Sequence, residues 1–319
     1  MKKTKIWLMV ATLFIIVGVI IFAGGVSMIK WDFKKLATDK TETNNYNLSE
    51  KFKNITVVTD TADIAFAYSV TDSALVNCVE HKNVKHSVSV EDNTLVIKVN
   101  DTRKWYEYIG IFFGKPSITV FIPSGEYGKL SITSSTGDVS IPENFRFESI
   151  DILESTGRVK NSASAIKDIK IRTSTGNIVL DKLSTQNLDL SVSTGKVELC
   201  DVNCEDEIKI KVSTGKSELT RVNCKKLKTN GSTGDISLNN TVAEESFYIE
   251  RSTGDVNFNS CDAKKIYIKT DTGDVKGNIN SDKIFNVKTD TGKISVPKSQ
   301  AGGECEIITD TGNIKITVN

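Results

Sequence analysis

Histidine occurs twice in 319 residues, at His81 and His86, which leaves no zinc-type histidine spacing, and no Gly-x-Ser-x-Gly elbow offers a nucleophile. Proline occurs only four times in a chain that is 39% hydrophobic, so collagen-like and disordered compositions are excluded and an ordered β-rich chain is favoured. An excess of one charge is also missing. Lys and Arg total 41 against 40 Asp and Glu, a formal charge of +1, and no extended block of either sign invites nucleic acid. Six cysteines are an even count, but a long repeated core does not need staples, and buried small thiols fit better than a disulfide framework.

What is present begins at Ile6–Ile29, a run without a charged residue, preceded by Lys2, Lys3 and Lys5. As a helix it is long enough to cross about 30 Å of hydrocarbon. A cleavable signal peptide is the rival, with small residues at Ala23-Gly24-Gly25, but its apolar core is usually only about 7–15 residues. A retained anchor spanning residues 1–31 is therefore expected, with the lysine-rich end in the cytoplasm and the rest of the chain outside the membrane. Residues 32–52 are polar and lack periodicity, which predicts a linker.

Beyond it, Ser-Thr-Gly or Asp-Thr-Gly recurs at Gly137, Gly157, Gly176, Gly195, Gly215, Gly234, Gly254, Gly273, Gly292 and Gly312, every 19 or 20 residues. In LDLSVSTGKVELC, two alternating strands flank the turn, so one face is buried and one is wet. No such unit buries its apolar face alone, and stacking of successive units is the solution. The fold class expected is all-β: a single-stack β-solenoid of 19–20-residue coils over residues 130–319, about 45–50 Å long, after one N-terminal transmembrane helix. Residues 53–129 are expected to form irregular opening coils and a cap, beginning with TDTADIAF, where Ala62 takes the Gly place. Gly serves as the corner, and the Ser or Asp two residues before it is expected to bond to backbone N–H groups.

The anchor followed by WDFKKLAT, the opening TDTADIAF, the loop RKWYEYIG and the serial STGDVSI and TDTGDVKG phrases resemble the bacterial β-strand-repeat proteins of unknown function that carry the name "putative adhesin", common in Gram-positive bacteria. The resemblance spans nearly the whole chain and implies binding at the cell envelope. It brings no catalytic residues to transfer.

Three features are candidate sites. Asp271, Asp290 and Asp310 replace the Ser of earlier corners and would stack about 5 Å apart, a column that Ca²⁺ could bridge, although Asp and Ser also interchange as turn formers. Trp105, Tyr106, Tyr108, Phe112 and Phe113 crowd into nine residues, either as a binding loop for sugars or a partner, or as a seal over the first coil. Cys204 and Cys224 each follow a motif Gly by nine residues, so adjacent coils bring them within disulfide reach. The chain end NIKITVN is expected to leave one strand edge open. The function expected is non-catalytic binding or display, toward a cell-surface glycan or an envelope protein, without cofactor or nucleic acid. The alternatives are a sensory accessory of an envelope-stress system and a polysaccharide-cleaving β-helix enzyme.

Overall fold

The computed structural model describes residues 2–28, 30–31, 41–105 and 114–319. A helix, Lys2–Met28, carries large apolar side chains exposed on all sides from Ile6 to Phe22; over Lys5–Met28 its mean hydropathy is 2.9. It is long and apolar enough to cross a membrane, and a signal sequence would have the same properties.

The rest is a β-solenoid of about ten turns, as the period predicts. In a coil such as Asn187–Thr194 followed by Val197–Cys204, the strands pair in parallel, in register, with their equivalents one period away: Leu188 lies between Ile169 and Ile208, and Val197 between Ile178 and Ser217. The inward residues of every coil merge into one core that runs from Ile55 to Ile316.

The Thr-Gly corner is fixed by space as much as by conformation. Gly195 has φ +148°, and a Cβ there would lie 1.8 Å from the carbonyl oxygen of Gly176. Every motif Gly N–H except that of Gly292, on the outermost coil, donates to a Thr carbonyl of the neighbouring coil, as from Gly195 to Thr214 at 3.0 Å. The polar brackets of the corner are not those expected. The Ser or Asp two places before the Gly faces outward, and the residue after the Gly does the bracing: Asp138 Oδ1 accepts from Arg158 N–H, Asn177 Oδ1 from Lys196 N–H, and Asp274 Oδ1 from Asn313 N–H, at 2.8–2.9 Å. From inside, Thr270 and Thr309, three places before their Gly, donate to the carbonyls of Gly254 and Gly273. A second corner falls six residues after the Gly, where Lys182, Asp201, Arg221, Asn240 and Ser260 all adopt φ of 47–54°.

The inward column three places before the Gly is polar at several levels, including Ser134, Glu154, Thr173 and Arg251. Arg251, only 3% exposed, passes over Gly231 to donate from Nη1 to Val212 O at 2.8 Å and from Nη2 to Ser217 Oγ at 3.1 Å. A Cβ on Gly231 would lie 1.7 Å from that guanidinium, and Ser217 stands where neighbouring coils hold Val197 and Ile236. Two small residues thus make room for one buried cation, whose desolvation pulls its pKa down to about 10. Glu154, 1% exposed, accepts from Thr156 N–H at 3.2 Å; burial pushes its carboxyl above the usual range, against the opposing help of Ser134 and of the Thr156 and Ser155 N–H groups. Such a group binds its proton more tightly folded than unfolded, so stability falls as pH rises from the ordinary carboxylate range through the raised value. Glu154→Gln is therefore expected to raise the thermal midpoint at pH 8 by about 2–4 °C, equivalent to about 1 kcal/mol, with the gain gone at pH 4. A lower midpoint at pH 8 would contradict this account.

Two expectations need correction. Thr41–Leu48, assigned by its polarity to the linker, is a strand antiparallel to Ala74–His81, from Thr41 opposite His81 to Leu48 opposite Ala74. Tyr46 and Leu48 pack on the core, and Tyr46 OH donates to His86 O. The apolar beat of TETNNYNL is confined to its last three residues, which hides the period. With Val84–Glu91, Thr94–Asp101 and Ser117–Ile122, these strands cover the first coil, Asn54–Thr61 and Asp63–Tyr68, where Ala62 N–H occupies the Gly role by donating to Thr136 O.

At the other end the stacking order departs from the chain order. Gly303–Thr311 pairs with Val256–Thr272 on one side and with Lys283–Thr291 on the other, so the last coil lies between its two predecessors. The open edge belongs to Lys283–Thr291 and Ile294–Ser295, where Ile284 and Ile294 are about half exposed, and not to the chain end.

Candidate binding face

The long strands of successive coils turn alternate side chains outward, and parallel in-register pairing aligns those side chains into columns along the rod. One column, six residues before each Gly, runs Asp151, Lys170, Asp189, Lys209, Lys228, Tyr248, Tyr267 and Glu306. Its first half carries alternating charges. Lys170 Nζ lies 3.9 Å from Asp189, and Lys129, two residues to one side, lies 4.0 Å from Asp151. With Asp168, Asn187 and Glu207 these side chains border a shallow groove of 530 Å³, in which Asn187 Nδ2 donates to Asp168 and Lys209 pairs with Glu207 at 2.8 Å.

Its second half is aromatic. The Tyr248 and Tyr267 rings stack at 4.8 Å between centroids and 17° between planes, and Lys228 Nζ lies 5.1 Å from the Tyr248 centroid. Tyr248 OH donates to Glu250 Oε1 at 2.6 Å, and Asn230 Nδ2 holds the other carboxylate oxygen at 3.1 Å. That hydrogen bond to an anion, then desolvation, pushes the phenol up to about 12, so the hydroxyl keeps its proton and the ring its orientation. Together, a fixed two-ring platform, a cation at its edge and a run of carboxylates, amides and ammoniums offer stacking and hydrogen bonding along one line. Such a set is suited to recognising an extended polar ligand.

Among the sequence candidates, Asp271, Asp310 and Asp290 do stand in one exposed column, but in that spatial order, because of the inserted coil. Trp105 is 77% exposed, whereas Tyr106, Tyr108, Phe112 and Phe113 lie outside the described residues. Cys204 and Cys224 occupy adjacent coils as free buried thiols, Cys204 Sγ donating to Gln186 O. The tyrosine platform was missed. Its signal was available: FYIE and IYIK place Tyr at the same phase one period apart, so a stacked fold must bring the rings together.

No curated protein matches the chain in sequence. Among solved structures, the chain is similar to a "putative adhesin" of Parabacteroides merdae, with TM-score 0.53 and 14% identity over 76% of this chain and 97% of that one. It is also similar to a "putative lipid binding protein" of Parabacteroides distasonis, with TM-score 0.50 and 16% identity over 77% of this chain and 98% of that one. At such identities these likenesses establish the fold alone. A family model, Toastrack DUF4097, matches residues 52–317, from the first coil through the inserted last one, and the chain belongs to that family.

Proposed function

We propose that this protein is a membrane-anchored, non-catalytic binding protein of the bacterial cell envelope, with the helix Lys2–Met28 retained as the anchor, the amino end inside and the solenoid outside. The ligand class we infer is a glycan chain lying along the rod axis. The observation that carries the reading is the Tyr248–Tyr267 stack beside Lys228, continuous with the charged column that ends in the groove. Sugar rings present flat apolar faces to aromatic platforms and hydroxyls to carboxylates and amides, and a repeat of about 4.8 Å along the column suits a repeating polymer. The adhesin name borne by the Parabacteroides merdae neighbour is in keeping with this reading.

Full-length protein in detergent should bind envelope polysaccharide. Tyr248→Ala and Tyr267→Ala should each weaken binding about five- to thirtyfold, which corresponds to about 1–2 kcal/mol, with the fold unchanged by circular dichroism. Polysaccharide affinity indifferent to both substitutions would remove the platform from the site. Protease added to intact cells should degrade the solenoid; its protection there would overturn the orientation.

A further inference from the structure

The antiparallel cap buries three donor atoms of the kinds that transition metals take. Strand Ala74–His81 points Cys78 and Glu80 inward, and strand Val84–Glu91 brings His86 against them. The thiol sulfur, a carboxylate oxygen and an imidazole nitrogen lie within 4.8 Å of one another; Cys78 and Glu80 have no exposed surface and His86 has 3%. Around them is a second layer of orienting groups. Asn44 Nδ2 donates to Glu80 Oε1 at 2.7 Å, and the His86 backbone N–H donates to Oε2 at 2.7 Å. His86 Nδ1 faces Oε2 at 2.8 Å, while Nε2 lies 2.9 Å from Thr59 Oγ1.

We propose that Cys78, Glu80 and His86 form a site for one divalent transition-metal ion of borderline softness, zinc above all. The donor set selects the metal: one sulfur, one nitrogen and one oxygen suit zinc, whereas calcium and magnesium require oxygen ligands throughout. Charge selects it as well. A thiolate and a carboxylate together balance M²⁺, leaving a neutral group in a dry interior, where the carboxylate alone is costly. The proton count closes. Uptake releases the thiol proton, and the imidazole keeps its own by moving it from Nδ1, which becomes the ligand atom, to Nε2, where Thr59 Oγ1 accepts it. A histidine ligand oriented through its second nitrogen is the usual arrangement. Three protein donors leave a fourth position for water. The site lies in the cap, apart from the tyrosine platform, and does not depend on the glycan reading.

The test uses the full chain in detergent, stripped with chelator and titrated with Co²⁺. One equivalent should bind, giving tetrahedral visible bands and a thiolate-to-cobalt charge-transfer band in the near ultraviolet, and zinc should displace it. Cys78→Ser should abolish the charge-transfer band and weaken zinc binding at least about tenfold, and Thr59→Val should weaken it about 10- to 100-fold. Cys305→Ser and Cys261→Ser, which alter buried thiols elsewhere, should leave both readouts unchanged. Zinc should also raise the thermal midpoint of the unsubstituted protein and chelator lower it. The cobalt spectrum of that protein decides the matter even where a variant fails to fold. Absence of the thiolate band, or metal uptake unaltered by Cys78→Ser, overturns the proposal.

Discussion

Gly195→Ala is expected to lower the thermal midpoint of the solenoid by about 6–12 °C. The position combines two penalties. Its φ of +148° strains any residue with a Cβ, at about 1–3 kcal/mol, and the new methyl would lie 1.8 Å from Gly176 O, a backbone atom with no freedom to swing aside. Relief requires the Gly176 and Gly195 coils to part. Parting also weakens the bond from Gly176 N–H to Thr194 O and the contact of Leu190 with Ile171 in the core. A total of about 3 kcal/mol or more is expected, and about 2–4 °C is lost per kcal/mol in a domain of this size. Because backbone pairing joins each coil only to the coils stacked on it, hydrogen exchange should rise most in residues 176–215. The opening coil supplies the control. Ala62 occupies the Gly place without a positive φ, so Ala62→Gly should cost only about 1 kcal/mol, a midpoint shift of about 2–4 °C. If Gly195→Ala melted within 2 °C of the parent, the corner would be a matter of convenience and the close approach of coils would be wrong.

The same contrast indicates how much of the structure was legible beforehand. A glycine at a fixed interval reports a backbone constraint that no side-chain chemistry can replace, so the coil, its corner and its dry axis could be read from the period. Side-chain roles inside the corner were less visible, because Ser, Thr, Asp and Asn are all good turn residues. Only the three-dimensional register assigns bracing to Asp138, Asn177 and Asp274 after the Gly rather than to the residues before it. Reciprocal size changes carry a clear signal once a register exists: Gly231 and Ser217 are small where their columns are larger, and Arg251 is large two coils above Val212. Tyr248 and Tyr267 belong to the same class and needed only the period. The strand Thr41–Leu48 and the cluster of Cys78, Glu80 and His86 were not legible, because antiparallel pairing joins segments whose separation in sequence follows no repeat.

A chain ending at Ser299 is expected to lose backbone protection over residues 283–295 entirely, although those residues are retained. In a rod stacked in chain order, removing the final repeat would expose one new edge and leave Lys283–Thr291 paired with Val256–Thr272. Here Gly303–Thr311 is the intervening rung, joined to both, and its removal leaves Lys283–Thr291 without a strand on either side. The Gly pair makes the insertion fit. A Cβ on Gly302 would lie 1.9 Å from Asp282 O, and one on Gly303 would lie 1.9 Å from Lys264 O. Across this narrow rung Lys283, 2% exposed, extends to Asp262 Oδ1 at 2.7 Å and to the Ser281 hydroxyl, fastening the outer coil to the one beyond its neighbour. Lys283→Ala would remove the cation and leave the Asp262 carboxylate, a quarter exposed, with the Ser281 hydroxyl alone, at a cost of about 1–3 kcal/mol. Exchange measured by mass spectrometry on the full-length protein should then speed up in residues 283–295 and 303–318, while the coils up to Gly254 keep the parent's protection. Unchanged protection of residues 283–295 in the shortened chain would mean that the coils stack in sequence order after all, and the span of Lys283 over Gly303 would have no purpose.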